Sequence, residues 1–121
     1  MIPNLNSPGI KTFTAGVSVT KGQIVKFSGG KVIPAAAATD LPVGVALDGA
    51  NKDDQVPVAV LGNAPGTLRI AAGGVIAQGA QVTALGTATS AGTDVIVGIA
   101  LEAAAAEGDE IEIAHQVAHV K

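Results

Sequence analysis

At 121 residues, 48% of them hydrophobic, the chain suits one domain and is long enough to bury its own core. A formal net charge of −3 and only 2% aromatic residues argue against nonspecific nucleic-acid binding, which needs clustered cations to displace counterions and rings to stack bases. There is no cysteine, which excludes disulfides and thiolate chemistry, and no apolar run reaches the roughly 18 residues of a membrane span. The apolar surplus is Ala and Val, so burial at about 25 cal/mol per Å² must come from many small side chains packed closely.

Residues 1–12 read as an extended N-terminal arm. Pro3, Pro8 and Gly9 oppose helix, and Ile2, Leu5 and Ile10 are apolar without a period. Such a segment can add a strand to a partner's sheet edge. Its start, Met1-Ile-Pro-Asn-Leu-Asn6, lacks the basic and apolar stretches of a secretory signal, so the cytosol is the expected site of synthesis. Residues 13–121 read as a single β domain. Phe13–Val19 and Gln23–Phe27 are strand candidates, and Ser28-Gly29-Gly30 predicts a hairpin into Lys31–Pro34. Ala35–Asp40, confined between Pro34 and Pro42, is at most one helical turn. Val43–Leu47 is a strand, residues 48–54 are a loop, and Val56–Val60 alternates as a half-buried strand. Pro57 within it points to an edge or a bulge. After a seam at 61–66, further candidates are Thr67–Ile70, Val75–Ala77, Ala80–Leu85, Val95–Leu101 and Glu110–Ala114. Gly86–Thr93 is small and polar, either a long hairpin loop or poorly paired β, and Gln116–Lys121 trails off with weak alternation.

Two of these strands repeat. Leu41-Pro-Val-Gly-Val-Ala-Leu-Asp48 recurs as Val95-Ile-Val-Gly-Ile-Ala-Leu-Glu102, and an acidic turn with an alternating strand follows each copy. Upstream, Lys21-Gly-Gln-Ile-Val25 echoes Gln78-Gly-Ala-Gln-Val82. The pattern implies an all-β sandwich or barrel built from two similar halves, about 13–61 and 67–115. In each repeated strand the glycine, Gly44 or Gly98, would permit a bulge or a close backbone approach.

No residue set carries catalysis. His115 and His119 have zinc spacing on a helix, but four residues along a strand span about 13 Å, and no third ligand is near. Asp53-Asp54 and Asp109-Glu110 lack the ligand spread of a calcium loop and read as solvated turns. A phosphate cradle and a Ser-His-Asp constellation are both missing from the sequence. No enzyme activity, cofactor or metal is expected.

Lys21-Gly-Gln-Ile-Val, Val43-Gly-Val-Ala-Leu, Asp54-Gln-Val-Pro-Val-Ala-Val60, Val97-Gly-Ile-Ala-Leu-Glu-Ala-Ala and Gly108-Asp-Glu-Ile-Glu-Ile113 together resemble the capsid cement, or head decoration, proteins of tailed bacteriophages. The resemblance covers residues 13–114. It implies a structural protein on the outside of an expanded phage head, bound to the major capsid protein and self-associating, with a trimer favoured. It also implies an arm whose Ile2, Pro3, Leu5 and Ile10 touch the capsid, and neither nucleic acid nor membrane as a partner. One alternative is a head-fibre module that binds a receptor or glycan, although Trp and Tyr, the usual sugar platforms, are missing. Another is a biotinyl or lipoyl carrier domain, for which Lys52 is the comparable lysine. Its setting, Asn51-Lys-Asp-Asp54, departs from the carrier patterns.

Overall fold

The structure, a computed structural model, describes residues 9–121. Its strands are β1 (Ile10–Thr14), β2 (Ile24–Ser28), β3 (Lys31–Pro34), β4 (Gly44–Ala46), β5 (Gln55–Val60), β6 (Leu68–Ala71), β7 (Gln81–Thr83), β8 (Val95–Ala100) and β9 (Glu110–Val120). No helix occurs among the described residues. The strands form two antiparallel sheets, a five-stranded one ordered β1-β5-β4-β2-β3 and a four-stranded one ordered β6-β9-β8-β7.

The two orders are the same plan executed twice, with β6, β7, β8 and β9 standing for β1, β2, β4 and β5. The third strand of the first half has a remnant in the second, a bridge from Ala88 to Val82. Hydrogen bonds outside the ladders repeat as well. Val19 bridges Ala50 as Ile76 bridges Ala104. Leu47 N–H donates to the Pro57 carbonyl as Leu101 N–H donates to Glu112. The all-β sandwich of two similar halves expected from the repeated segment is therefore the observed fold.

The first half curls around an interior of its own. In the first half, Ala15 beyond β1 bridges Val32 in β3 and draws the sheet edges together. Val19, Val25, Val32, Ala46, Val56 and Val58 fill the space enclosed. The opposite face of the same sheet, Ile24, Val45 and Ala59, is also buried, in a larger cluster with Ile70, Val82, Val97, Ile111 and Ile113 of the second half. Sheet residues buried on both faces explain the near-continuous apolar run Val56–Val60, which alternation alone assigns to a half-buried strand. Small side chains suffice because the layers approach closely.

Several expectations need correction. Strand β5 lies inside its sheet, between β1 and β4, and is not an edge. Pro57 is tolerated there because β4 ends at Ala46. The proline nitrogen faces the place where the ladder has stopped, while its carbonyl accepts Leu47 N–H. Strand β9 continues to Val120, where the sequence reads as a fading tail, because β8 supplies partners for it as far as Val95↔Val120. Val75–Ala77 contributes only the Ile76 bridge. Ile10–Thr12, read as the end of the arm, are the first residues of β1 and pair with Ala59, Val58 and Pro57. The Ser28-Gly29-Gly30 turn forms as expected: Ser28 pairs with Lys31, and Gly29 and Gly30 both take positive φ.

Candidate interaction surface

The loops at 34–42 and 86–94 are built by the same device. In each, an aspartate carboxylate accepts two backbone N–H groups upstream. Asp40 Oδ2 takes Ala36 at 2.8 Å and Ala37 at 3.0 Å, and Asp94 Oδ2 takes Ser90 at 3.0 Å and Ala91 at 3.1 Å. Asp109 does the same for Ala105 and Ala106. Each carboxylate satisfies two backbone N–H groups of its own loop and so closes the loop on itself. Lys26 at 2.9 Å and the two N–H groups hold the Asp40 pKa below the usual 3.8. The N–H groups of Ser90 and Ala91, helped by the Thr89 hydroxyl, do the same for Asp94 against the opposing effect of burial. Depressed carboxylates stabilise the fold above the ordinary aspartate range and lose that contribution as pH falls through their lowered values. Asp94→Asn is expected to lower stability at neutral pH and to flatten the acid limb of a urea-midpoint profile. An unchanged acid limb would mean the loop is held otherwise.

The remaining polar residues singled out from sequence are structural. His115 Nδ1 accepts Gly62 N–H at 2.9 Å, which leaves Nε2 to donate to the Gly66 carbonyl at 2.9 Å. It ties the seam between the halves to β9. His119 is exposed and pairs with Ile96 across the β8–β9 ladder, so the two histidines share no site. No cluster of three or more His, Cys, Asp or Glu able to hold a metal occurs among the described residues. Asp53 takes a φ of 70° and pairs with Lys31 at 2.9 Å. Lys52, the carrier candidate, is exposed in the turn beside it.

Sequence reading missed the Arg69 cluster. Arg69 Nε binds Glu110 at 2.7 Å, its other arm reaches Glu102 at 3.3 Å, and Thr67 binds Glu112 alongside. Glu112 is half-buried and the others are exposed, so the pairs orient the face rather than stabilise it much. The signal was present in outline, since β6 places Arg69 opposite Glu112 once its pairing with β9 is known.

Two grooves run between the halves. One, of about 530 Å³, lies among Lys21, Leu47, Leu68, Arg69 and Glu110; the other, of about 240 Å³, lies among Ile24, Pro34, Leu85 and Glu107. Leu47 and Leu85 on the groove walls are themselves exposed, and further exposed large apolar residues lie beyond the grooves. Ile99, Leu101, Val117 and Val120 belong to the second half, and Ile10, Phe27 and Leu41 to the first. Phe27 leans edge-on against Phe13 with ring centres 5.2 Å apart. Of the arm residues, Ile10 is 42% exposed at the start of β1, while Ile2, Pro3 and Leu5 lie outside the described residues. Strand β1, at the edge of its sheet, carries Lys11, a charge that discourages random edge pairing.

A family described as phage cement protein matches residues 7–115 of the chain. Among solved structures, the chain is similar to the N base of head fiber gp8.5 of bacteriophage phi29, with a TM-score of 0.69 and 21% identity over 93% of this chain and 97% of that one. Curated proteins provide no match.

Proposed function

Since the chain belongs to the phage cement protein family, we propose that it decorates the outer surface of a phage head and stabilises the shell, with the major capsid protein as its partner. The observation that carries this reading is the span of the family match, residues 7–115, which takes in both halves of the duplicated domain. The geometry is consistent with it. Surfaces made of small side chains, free sheet edges and shallow grooves suit many modest contacts, whose strength on a lattice comes from repetition. The role is structural and non-catalytic. The protein is made in the host cytoplasm, ends on the virion exterior and self-associates, with a trimer as the favoured state. The N-terminal segment, through Ile2, Pro3, Leu5 and Ile10, supplies part of the capsid contact.

Cosedimentation with expanded heads stripped of decoration tests the reading. Binding at micromolar concentration, and heads that survive heating or low salt better when bound, are expected. Failure to cosediment would remove the cement role. A second arm of the experiment uses the chain lacking residues 2–8. It is expected to keep the β-sheet circular-dichroism spectrum and melting temperature while binding heads about tenfold or more weakly. Equal binding would show that the capsid contact lies in the folded domain.

A further inference from the structure

The two halves meet through different faces. The first half offers Gly22, Ile24, Val45 and Ala59, all buried. Their counterparts in the second half are Gly79, Gln81, Ile99 and Ala114. Gly79 and Ala114 are exposed, Gln81 is half-buried, and Ile99 is 43% exposed where Val45 is fully buried. The converse also holds. The second half presents Ala84 and Val95, both buried, and Val95 N–H donates to the Ala38 carbonyl of the first half at 2.8 Å. Their counterparts in the first half, Phe27 and Leu41, are 54% and 69% exposed. A two-fold arrangement would cover the same face on both halves. Here each half shows the face that its twin buries, so the contact is head-to-tail and both ends of the two-unit stack remain uncovered.

The ends of a finished stack carry polar caps. These ends are apolar instead: Ile99, Leu101 and Ala114 at one, Phe27 and Leu41 at the other. The halves differ in charge: five lysines stand against four aspartates in the first, a net of +1, whereas Arg69 and Lys121 are outnumbered by four glutamates and two aspartates in the second, a net of −4. Glu112 lies directly across the sheet from Arg69 and beside the Leu101 end of β8, on the rim of the uncovered face.

We infer that the Ile99–Leu101–Ala114 face of one copy docks on the Phe27–Leu41 end of a second copy, repeating between molecules the contact that joins the halves within one. The inference rests on the self-association proposed above and names its surface. A head-to-tail contact of this kind closes into a ring when its rotation allows and otherwise propagates.

Two variants at exposed positions test it, Ile99→Glu and Leu41→Glu, each first checked for a wild-type melting curve. Sedimentation velocity of the wild type over micromolar to millimolar concentration is expected to show assembly. Each variant alone is expected to weaken it by about tenfold or more, because a carboxylate would be buried unpaired. An equimolar mixture is expected to form pairs and stop there, since each variant retains the one intact face that the other needs. A wild type that stays monomeric throughout would overturn self-association and this surface with it. Assembly undiminished in Ile99→Glu would overturn the surface while leaving self-association standing. Variants that fail to pair when mixed would overturn the head-to-tail match.

Discussion

Replacing Gly44 or Gly98 by alanine is expected to destabilise the protein by about 3 kcal/mol or more, among the largest effects of any single methyl addition in the chain. Neither glycine needs positive φ. What each needs is room. A Cβ at Gly44 would fall on the Ala59 carbonyl, and one at Gly98 on the Ala114 carbonyl, both inside the 3.0 Å that real Cβ atoms keep. Ala59 and Ala114 are themselves counterparts, so the same close approach is built in both halves. The obstructing atoms are backbone, held in the β4–β5 and β8–β9 ladders, and cannot swing aside as a side-chain tip could. At Gly44 the strand is only three residues long, and Val58 Cγ1 crowds the same space. At Gly98 the neighbouring register shift between Ile96 and Gly98 gives the ladder more freedom, so the alanine there should cost somewhat less. Gly92→Ala is the control. A Cβ there meets nothing within 4 Å and φ is not in the left-handed region. Its effect should lie near zero, or favour the fold by a few tenths of a kcal/mol through the unfolded chain. Urea unfolding of the three variants reads the difference directly. Equal midpoints for all three would refute the account of the repeated strand as a close-approach element.

The repeated Val-Gly-Val/Ile-Ala-Leu strand was legible in the sequence because duplication puts the same steric requirement on the page twice. Gly29-Gly30 was legible because a two-residue hairpin needs positive φ at both positions. Pro57 misled because the rule that bars proline from inner strands assumes a full ladder on both sides, and here β4 is too short to ask for the missing N–H. The second half of β9 was illegible for a related reason. Gln116–Val120 has little alternation of its own and becomes a strand only because β8 lies beside it. The uncovered faces were the hardest to foresee. Val45 and Ile99 occupy matching places in matching strands and read alike, yet one is fully buried and the other 43% exposed. Periodicity tells that a face is apolar; it does not tell which of two equivalent faces the other half will cover.

Ile113→Ala is expected to cost about 2–5 kcal/mol and to leave unfolding a single transition. Ile113 is fully buried on β9, paired with Leu68 on one side and Ala100 on the other. Its counterpart in the first half is Val58, which faces a separate interior made entirely of first-half residues. Ile113 instead belongs to the cluster that also holds Ile24, Val45 and Ala59. A cavity at Ile113 therefore loosens packing that both halves share, and the first half cannot keep its Ile24–Val45–Ala59 face dry once the second half opens. Exposing that face would forfeit roughly 25 cal/mol for every Å² of apolar surface returned to water. Small halves with no aromatic anchor beyond Phe13 and Phe27 have little stability to spare for that loss. Hydrogen exchange provides the sharpest measurement, because the chain has no Trp or Tyr to report fluorescence. In Ile113→Ala, the slowest amides of β4 and β5 should lose protection by the same free energy as those of β8 and β9. Loss confined to β8 and β9, with β4 and β5 still protected as in the wild type, would mean that the halves unfold independently and that the shared cluster does not couple them.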